Sequence, residues 1–182
     1  MKELSYHILD IANNSIRANA SHIIIHIDEN REKNELKIII SDNGNGIPPD
    51  IYKDIKNPFT TSRTTRKVGL GIPLLNDTCL NCNGCLNIDT ELGKGTKLEA
   101  LMELTHIDRP PMGNLVSTIL TLFVSHEDIN IDFTYQVDET SFTLTTKMLK
   151  EILGDISLNT PEISQWIREY LMDNIAALHD SE

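Results

Sequence analysis

Ser41-Asp42-Asn43-Gly44-Asn45-Gly46-Ile47-Pro48 opens the stretch that decides the fold of this chain, and Gly69-Leu70-Gly71-Ile72-Pro73 closes it. Between them runs a basic segment from Phe59 to Val68, in which Arg63, Arg66 and Lys67 are flanked by Thr60, Thr61, Ser62, Thr64 and Thr65. The apolar run Leu36 to Ile40 feeds the opening segment and reads as a strand. Asp42 is then the acceptor nearest to glycines that let a ligand reach the backbone. In the closing segment a pair of glycines stands where a helix begins, leaving free N–H groups to face an anion. One end wants a hydrogen-bond donor, the other wants phosphate, and a cationic flap joins them. That is the make-up of a nucleotide site.

Upstream, residues 3–19 read as a helix with Leu4, Ile8, Ile11 and Ser15 on one side. Asp10, Asn14 and Arg17 follow at helical spacing and share another face. Taken alone, such a triplet is ordinarily a solvated polar face. Residues 21–28 and 35–41 alternate as two strands joined by the polar stretch Glu29 to Asn34. His22 and His26 share a strand face, but no third ligand stands nearby, which favours surface histidines over a metal site.

Downstream, a short helix is expected from Ile51 to Asn57 and a longer one from Leu70 to about Leu80, with Pro73 in its first turn. Residues 84–90 and 96–104 form a strand pair turned at Glu91-Leu92-Gly93-Lys94-Gly95. Cys79, Cys82 and Cys85 have the spacing of an iron–sulfur ligand set but lack a fourth cysteine. Packing of small buried thiols is the better account.

In this setting Asp42-Asn43-Gly44-Asn45-Gly46-Ile47 resembles the first glycine box of the GHKL superfamily. That group holds DNA gyrase, heat-shock chaperones, sensor histidine kinases and mismatch-repair ATPases of the MutL type. Gly69-Leu70-Gly71-Ile72 resembles the second glycine box, Pro58-Phe59 the phenylalanine box, and Gly93-Lys94-Gly95-Thr96 the third glycine box. Ile11 to Ala20 resembles the asparagine box. The resemblance implies a Bergerat-type ATP-binding α/β sandwich, a mixed sheet covered by helices on one face, with ATP and Mg²⁺ as its ligands. It makes Asn14 the magnesium ligand, Asp42 the adenine acceptor and Thr96 its neighbour. Asp10 takes the place where many members keep a Glu as general base. Gly44, Gly46 and Ile47 line the site. Arg17, Thr60, Thr61, Arg63, Lys67, Gly69, Leu70 and Gly71 attend the phosphates. Lys67-Val68 replaces the Gly-Thr that opens the second glycine box of most kinases. The strand that usually precedes the asparagine-box helix is missing, so the sheet is either smaller or completed by the segment after residue 105.

The chain has 182 residues, 40% of them hydrophobic, enough for a real core. Its start lacks the apolar core of a signal peptide, and no apolar run is long enough to span a bilayer. Three cysteines without a secretion signal fit a reducing cytoplasm. The net charge of −11 is uneven: residues 1–105 carry 12 Lys/Arg against 14 Asp/Glu, and residues 106–182 carry 4 against 13. An acidic chain is a poor fit to a phosphate backbone, so nucleic acid and membrane are not expected partners, whereas a protein partner for the acidic segment is. The charge step divides the chain into an ATP-binding region, 1–105, and a C-terminal αββαα appendage, 106–182. In the appendage, helices are expected from Pro111 to Ser125, Thr146 to Leu153 and Thr160 to Ala177, and strands from Ile129 to Val137 and Ser141 to Thr146. The expected function is ATP-dependent phosphoryl transfer, to water or to a separate protein. A non-catalytic ATP sensor or protein-interaction module is the alternative. Asp10, shorter than Glu by one methylene, discriminates weakly between them.

Overall fold

The computed structural model describes residues 3–56 and 70–180. In chain order it contains α1 (Leu4–Arg17), β1 (His22–Asn30), β2 (Glu35–Asp42), α2 (Pro49–Tyr52), α3 (Gly71–Asn81), β3 (Cys85–Glu91), β4 (Gly95–Glu103) and α4 (Leu115–Ser125). Then follow β5 (Asn130–Val137), β6 (Thr140–Thr145), α5 (Thr146–Leu153) and α6 (Pro161–Asp180). The expected Bergerat-type sandwich is what these elements build.

The six strands form one sheet in the order β3-β4-β2-β1-β5-β6. Only β1 and β5 run parallel; every other neighbouring pair is antiparallel. The period-two alternation of the sequence sets which side chains face the core. Ile88, Leu98, Ile40, Ile25, Phe133 and Leu144 stand in register as one row across all six strands, and all are buried. Onto this face pack α3 over β3 and β4, α1 beside β2, α4 over β5, and α6 over β5 and β6. Burying each Ile or Leu in such a row stabilises by about 1.5–3 kcal/mol before entropy is counted. The other face is only partly covered and mixes polar side chains such as Lys37 and Glu99 with apolar ones such as Ile39 and Ile24, the latter 41% exposed.

Completion of the sheet by the C-terminal segment is the alternative the structure bears out. No strand precedes α1 among the described residues. Instead β5 lies beside β1, Phe133 opposite Ile25, and β6 closes that edge. The segment after residue 105 therefore shares the sheet and the core of the segment before it.

Three boundaries differ from expectation. The short helix begins at Pro49 rather than Ile51, because proline is preorganised for a first helical turn and its missing N–H costs nothing there. Helix α4 begins at Leu115 rather than Pro111: Gly113 adopts φ +75°, and Asn114 caps the helix by accepting from the Ser117 N–H at 3.0 Å. Helix α6 runs on to Asp180.

Candidate functional site

Helix α1 is the hub of the candidate site. Its apolar stripe, Leu4, Ile8 and Ile11, is buried, and Ser15 continues that stripe at 3% exposure. A hydroxyl buried so deeply must find a partner. It donates to Asp42 Oδ2 at 2.6 Å, across from the end of β2. The Gly44 N–H donates to the other oxygen, Asp42 Oδ1, at 2.8 Å. The carboxylate is thus held from two directions with one bond to each oxygen. A carboxylate offers about four lone-pair sites, so acceptor capacity remains.

The loop after β2 is fitted to its surroundings without spare room. Gly46 has φ +73°, and a Cβ there would come within 2.3 Å of the Glu91 carbonyl oxygen. Gly95, at φ +121°, faces the Asp42 carbonyl oxygen, which its Cβ would meet at 1.9 Å. Both positions require glycine. The Asn45 N–H donates to Ala18 O at 2.8 Å and Asn45 O accepts from the Gly93 N–H at 2.9 Å. The loop therefore bridges the end of α1 to the β3–β4 turn.

Thr96 stands opposite Asp42 in the β2–β4 register. Its hydroxyl lies 3.0 Å from that of Thr90, which accepts from the Ile47 N–H at 2.9 Å and donates to Gly95 O at 3.1 Å. Thr90 has one proton; with that proton on Gly95 O, Thr96 is the donor between the two hydroxyls. Thr90 thereby joins Ile47, Gly95 and Thr96 into one wall.

At the other end of α1's polar face, Asp10 lies against the first turn of α3. A Cβ on Gly71 would approach Asp10 Oδ2 to 2.5 Å, so the carboxylate lies directly against the helix start and would have to turn aside for any larger residue. The first-turn N–H groups of Gly71 and Ile72 have no carbonyl four residues back within the helix. An anionic group beside them is favoured by the helix dipole. Leu70 precedes this turn and is 53% exposed. Asn14, half-buried, accepts a long bond of 3.4 Å from exposed Arg17. The expected phosphate-side residues Thr60, Thr61, Arg63, Arg66, Lys67 and Gly69, and the pair Pro58-Phe59, lie outside the described residues.

His7, one turn before Asp10 on α1, is 1% exposed with its Nε2 3.5 Å from Thr78 Oγ1. Burial pushes its pKa down to about 4, so the ring is neutral at pH 7. A ring so inaccessible is no phosphoacceptor.

The remaining titratable candidates resolve into other roles. Cys79 and Cys82 are core residues, and burial pushes the Cys79 thiol up to about 12, which keeps it protonated and unreactive. His22 pairs with Asp132 at 2.7 Å, and His26 is half-buried, its Nε2 shielded from solvent and without a hydrogen-bond partner among the described residues. Among the described residues no three His, Cys, Asp or Glu side chains cluster as a metal site. Nor is any described helix long and apolar enough to cross a membrane.

Sequence reasoning did not single out Ser15 or Thr90 as site residues. Ser15 carried a signal, a polar residue in an apolar stripe, whereas Thr90 is an ordinary strand threonine whose role depends on the register.

This architecture has relatives. Sporulation kinase C of Bacillus subtilis (strain 168) is 28% identical over 102 residues, which cover 56% of this chain and 24% of that kinase. The chain thus matches about a quarter of the length of this curated relative. Among solved structures, the N-terminal domain of a DNA repair protein gives a TM-score of 0.57 at 16% identity, over 85% of this chain and 58% of that one, a likeness of fold. The Aquifex aeolicus MutL ATPase domain complexed with ADP gives 0.47 at 15% identity, over 83% and 67% respectively. Residues 2–106, more than half of the chain, match the family of histidine kinase-, DNA gyrase B-, and HSP90-like ATPases, and the chain belongs to that family.

Proposed function

We propose that this domain binds Mg²⁺-ATP and directs its γ-phosphoryl group to water or, in its main use, to a separate protein. The observation that carries the reading is Asp42, fixed by Ser15 and Gly44 yet with acceptor capacity left. A pinned, half-buried carboxylate of this kind suits the exocyclic amino group of adenine, which is a donor. Gly44, Gly46, Ile47 and Thr96 would shape the base end of the site. Asn14 would hold Mg²⁺ through its side-chain oxygen, an oxygen donor of the kind magnesium prefers. Arg17 and the start of α3 at Leu70 and Gly71 would face the phosphates, together with Thr60, Thr61, Arg63, Lys67 and Gly69. ATP supplies the transferable phosphoryl group; positioning and charge neutralisation are what the protein adds.

Asp10 is the residue we assign to orient or deprotonate the attacking hydroxyl. It shares α1 with Asn14, one turn away. Asp10→Asn should leave ATP affinity nearly unchanged while slowing turnover by about 10²–10⁴-fold. Phosphate release and ATP titration on the same preparations read the two quantities separately. A variant that keeps the full rate removes Asp10 from the chemistry.

The contact of Asp10 with Gly71 also supports a second reading, in which the carboxylate caps α3 and the domain is a sensor that binds ATP without turning it over. In that case wild type and Asp10→Asn share the same negligible turnover while both bind ATP. For the acidic residues 106–182 we propose docking of a cationic protein rather than nucleic acid or membrane, with salt-sensitive affinity.

A further inference from the structure

A second cleft lies at the far end of the sheet. Asp42 pairs with Ile23 near one end of β1, and Glu29 lies six residues further along, about 20 Å away at the rise of a strand. There the loop before α4, the end of β1, β5 and the last turns of α6 border an open cleft of about 460 Å³. That is within the range of small-molecule sites.

Glu29, Tyr135, His179 and Arg109 are among the polar side chains that line it. Glu29 accepts from the Tyr135 hydroxyl at 2.5 Å through Oε1, and its Oε2 lies 3.3 Å from His179 Nε2. The His179 ring meets Tyr135 edge-on, their centroids 5.6 Å apart. Burial and the neighbouring Glu29 push the Tyr135 pKa above the ordinary tyrosine value, so the phenol remains a neutral donor. These contacts alone describe a latch between α6 and the sheet.

Arg109 is what a latch does not explain. Its guanidinium lines the same cleft, yet it makes no ion pair among the described residues. Its Nε donates to Leu104 O and its Nη1 to Pro110 O, which fixes the group and commits two of its five N–H donors. The cleft therefore presents a positive group and a negative group, each oriented by the protein and not paired with the other. Met112 and Ile175 supply apolar wall. A ligand with a single charge would gain at one of these groups what it loses at the other. A ligand carrying both charges satisfies both.

We propose that this cleft binds a zwitterion of the amino-acid class with an apolar side chain. Its carboxylate meets Arg109, its ammonium meets the free lone pairs of Glu29, and its side chain lies on Met112 and Ile175. A free amino acid and a dipeptide share this chemistry. The site does not depend on the nucleotide reading, since none of its residues belongs to that site.

The test is calorimetric titration of the full chain with L-leucine, L-phenylalanine and Leu-Leu, alongside N-acetyl-L-leucine and L-leucinamide, which each lack one charge. The expected result is saturable binding of at least one zwitterion, with both blocked leucines at least tenfold weaker than leucine. Whichever zwitterion binds most tightly identifies the source. Glu29→Gln keeps one oxygen to accept from Tyr135 and turns its amide N–H toward His179 Nε2, which accepts in the matching tautomer, but loses the charge; it should weaken binding of the zwitterion at least tenfold with an unchanged circular dichroism spectrum. Asp42→Asn should leave this binding intact, which separates it from ATP. No heat from any zwitterion up to about 10 mM overturns the proposal, since the Kd would then be too weak for a built site. Equal binding of free and blocked leucine also overturns it.

Discussion

Asp42 works as a fixed acceptor because its two oxygens are held by donors of different origin. Ser15 comes from α1 and the Gly44 N–H from the loop that follows β2. Asp42→Asn preserves size but replaces one oxygen by a donor, which must face either Ser15, the Gly44 N–H or the ligand. We expect a loss of about 1.5–3 kcal/mol of ATP binding, more than tenfold in Kd. Ser15→Ala removes only the support and should cost less, about 0.5–1.5 kcal/mol. Fluorescent-nucleotide titrations of both variants rank these effects; unchanged affinity in a folded Asp42→Asn protein would strip Asp42 of its role. Asp42 and the glycines around it were legible because a strand, an acidic turn and paired glycines are local in sequence. Thr90 was not: its hydroxyl matters only because register sets it beside Thr96 and Ile47.

Helix α1 carries two demands at once, an apolar face for the core and a polar face for the site. His7 sits where they meet, and its depressed pKa makes a prediction about stability. Above the unfolded value of 6.5 the ring is neutral in both states and contributes nothing. Between 6.5 and about 4 the unfolded chain takes up a proton that the native ring refuses, so stability falls as pH falls. The full loss is about 3 kcal/mol, since each pH unit between the two values costs about 1.4 kcal/mol. His7→Gln has no such proton to take up. Urea unfolding at pH 7 and pH 4 should show wild type losing more stability than His7→Gln by roughly that amount. Parallel losses in the two proteins would mean that His7 titrates freely. Element types were readable from periodicity throughout, as in Ile23, Ile25 and Ile27. Element ends were less so, because Asn114 competes for the start of α4 with the proline pair before it.

At the scale of the molecule the sequence shows a break in charge near residue 106, and the fold carries the sheet straight across it. Alternation announces that 129–137 is a strand but cannot name its neighbour; the parallel pairing of β5 with β1 spans about a hundred residues of chain. Its consequence can be tested by ending the chain at residue 105. Truncation removes β5 from the edge of β1, so Ile23, Ile25 and Ile27 lose Ile131, Phe133 and Tyr135 as neighbours in the ladder. It also strips α4 from α1, the helix whose apolar stripe includes Leu4 and Ile8, 0% and 1% exposed in the full chain. Losing even three such buried side-chain contacts, at about 1.5–3 kcal/mol each, approaches the whole 5–15 kcal/mol that holds a domain together. The newly bared edge of β1 is also a template for pairing between chains. We therefore expect residues 1–105 alone to aggregate or to melt without a cooperative transition, by circular dichroism and size-exclusion chromatography. Separate expression of residues 106–182 should fare no better, since β5 and β6 would form an isolated two-stranded pair with only α4, α5 and α6 against it. If residues 1–105 instead remain monomeric, unfold cooperatively and bind ATP with full affinity, the ATP-binding region is autonomous. The C-terminal segment would then be an addition to a complete domain, and its two strands would serve partner docking rather than the fold.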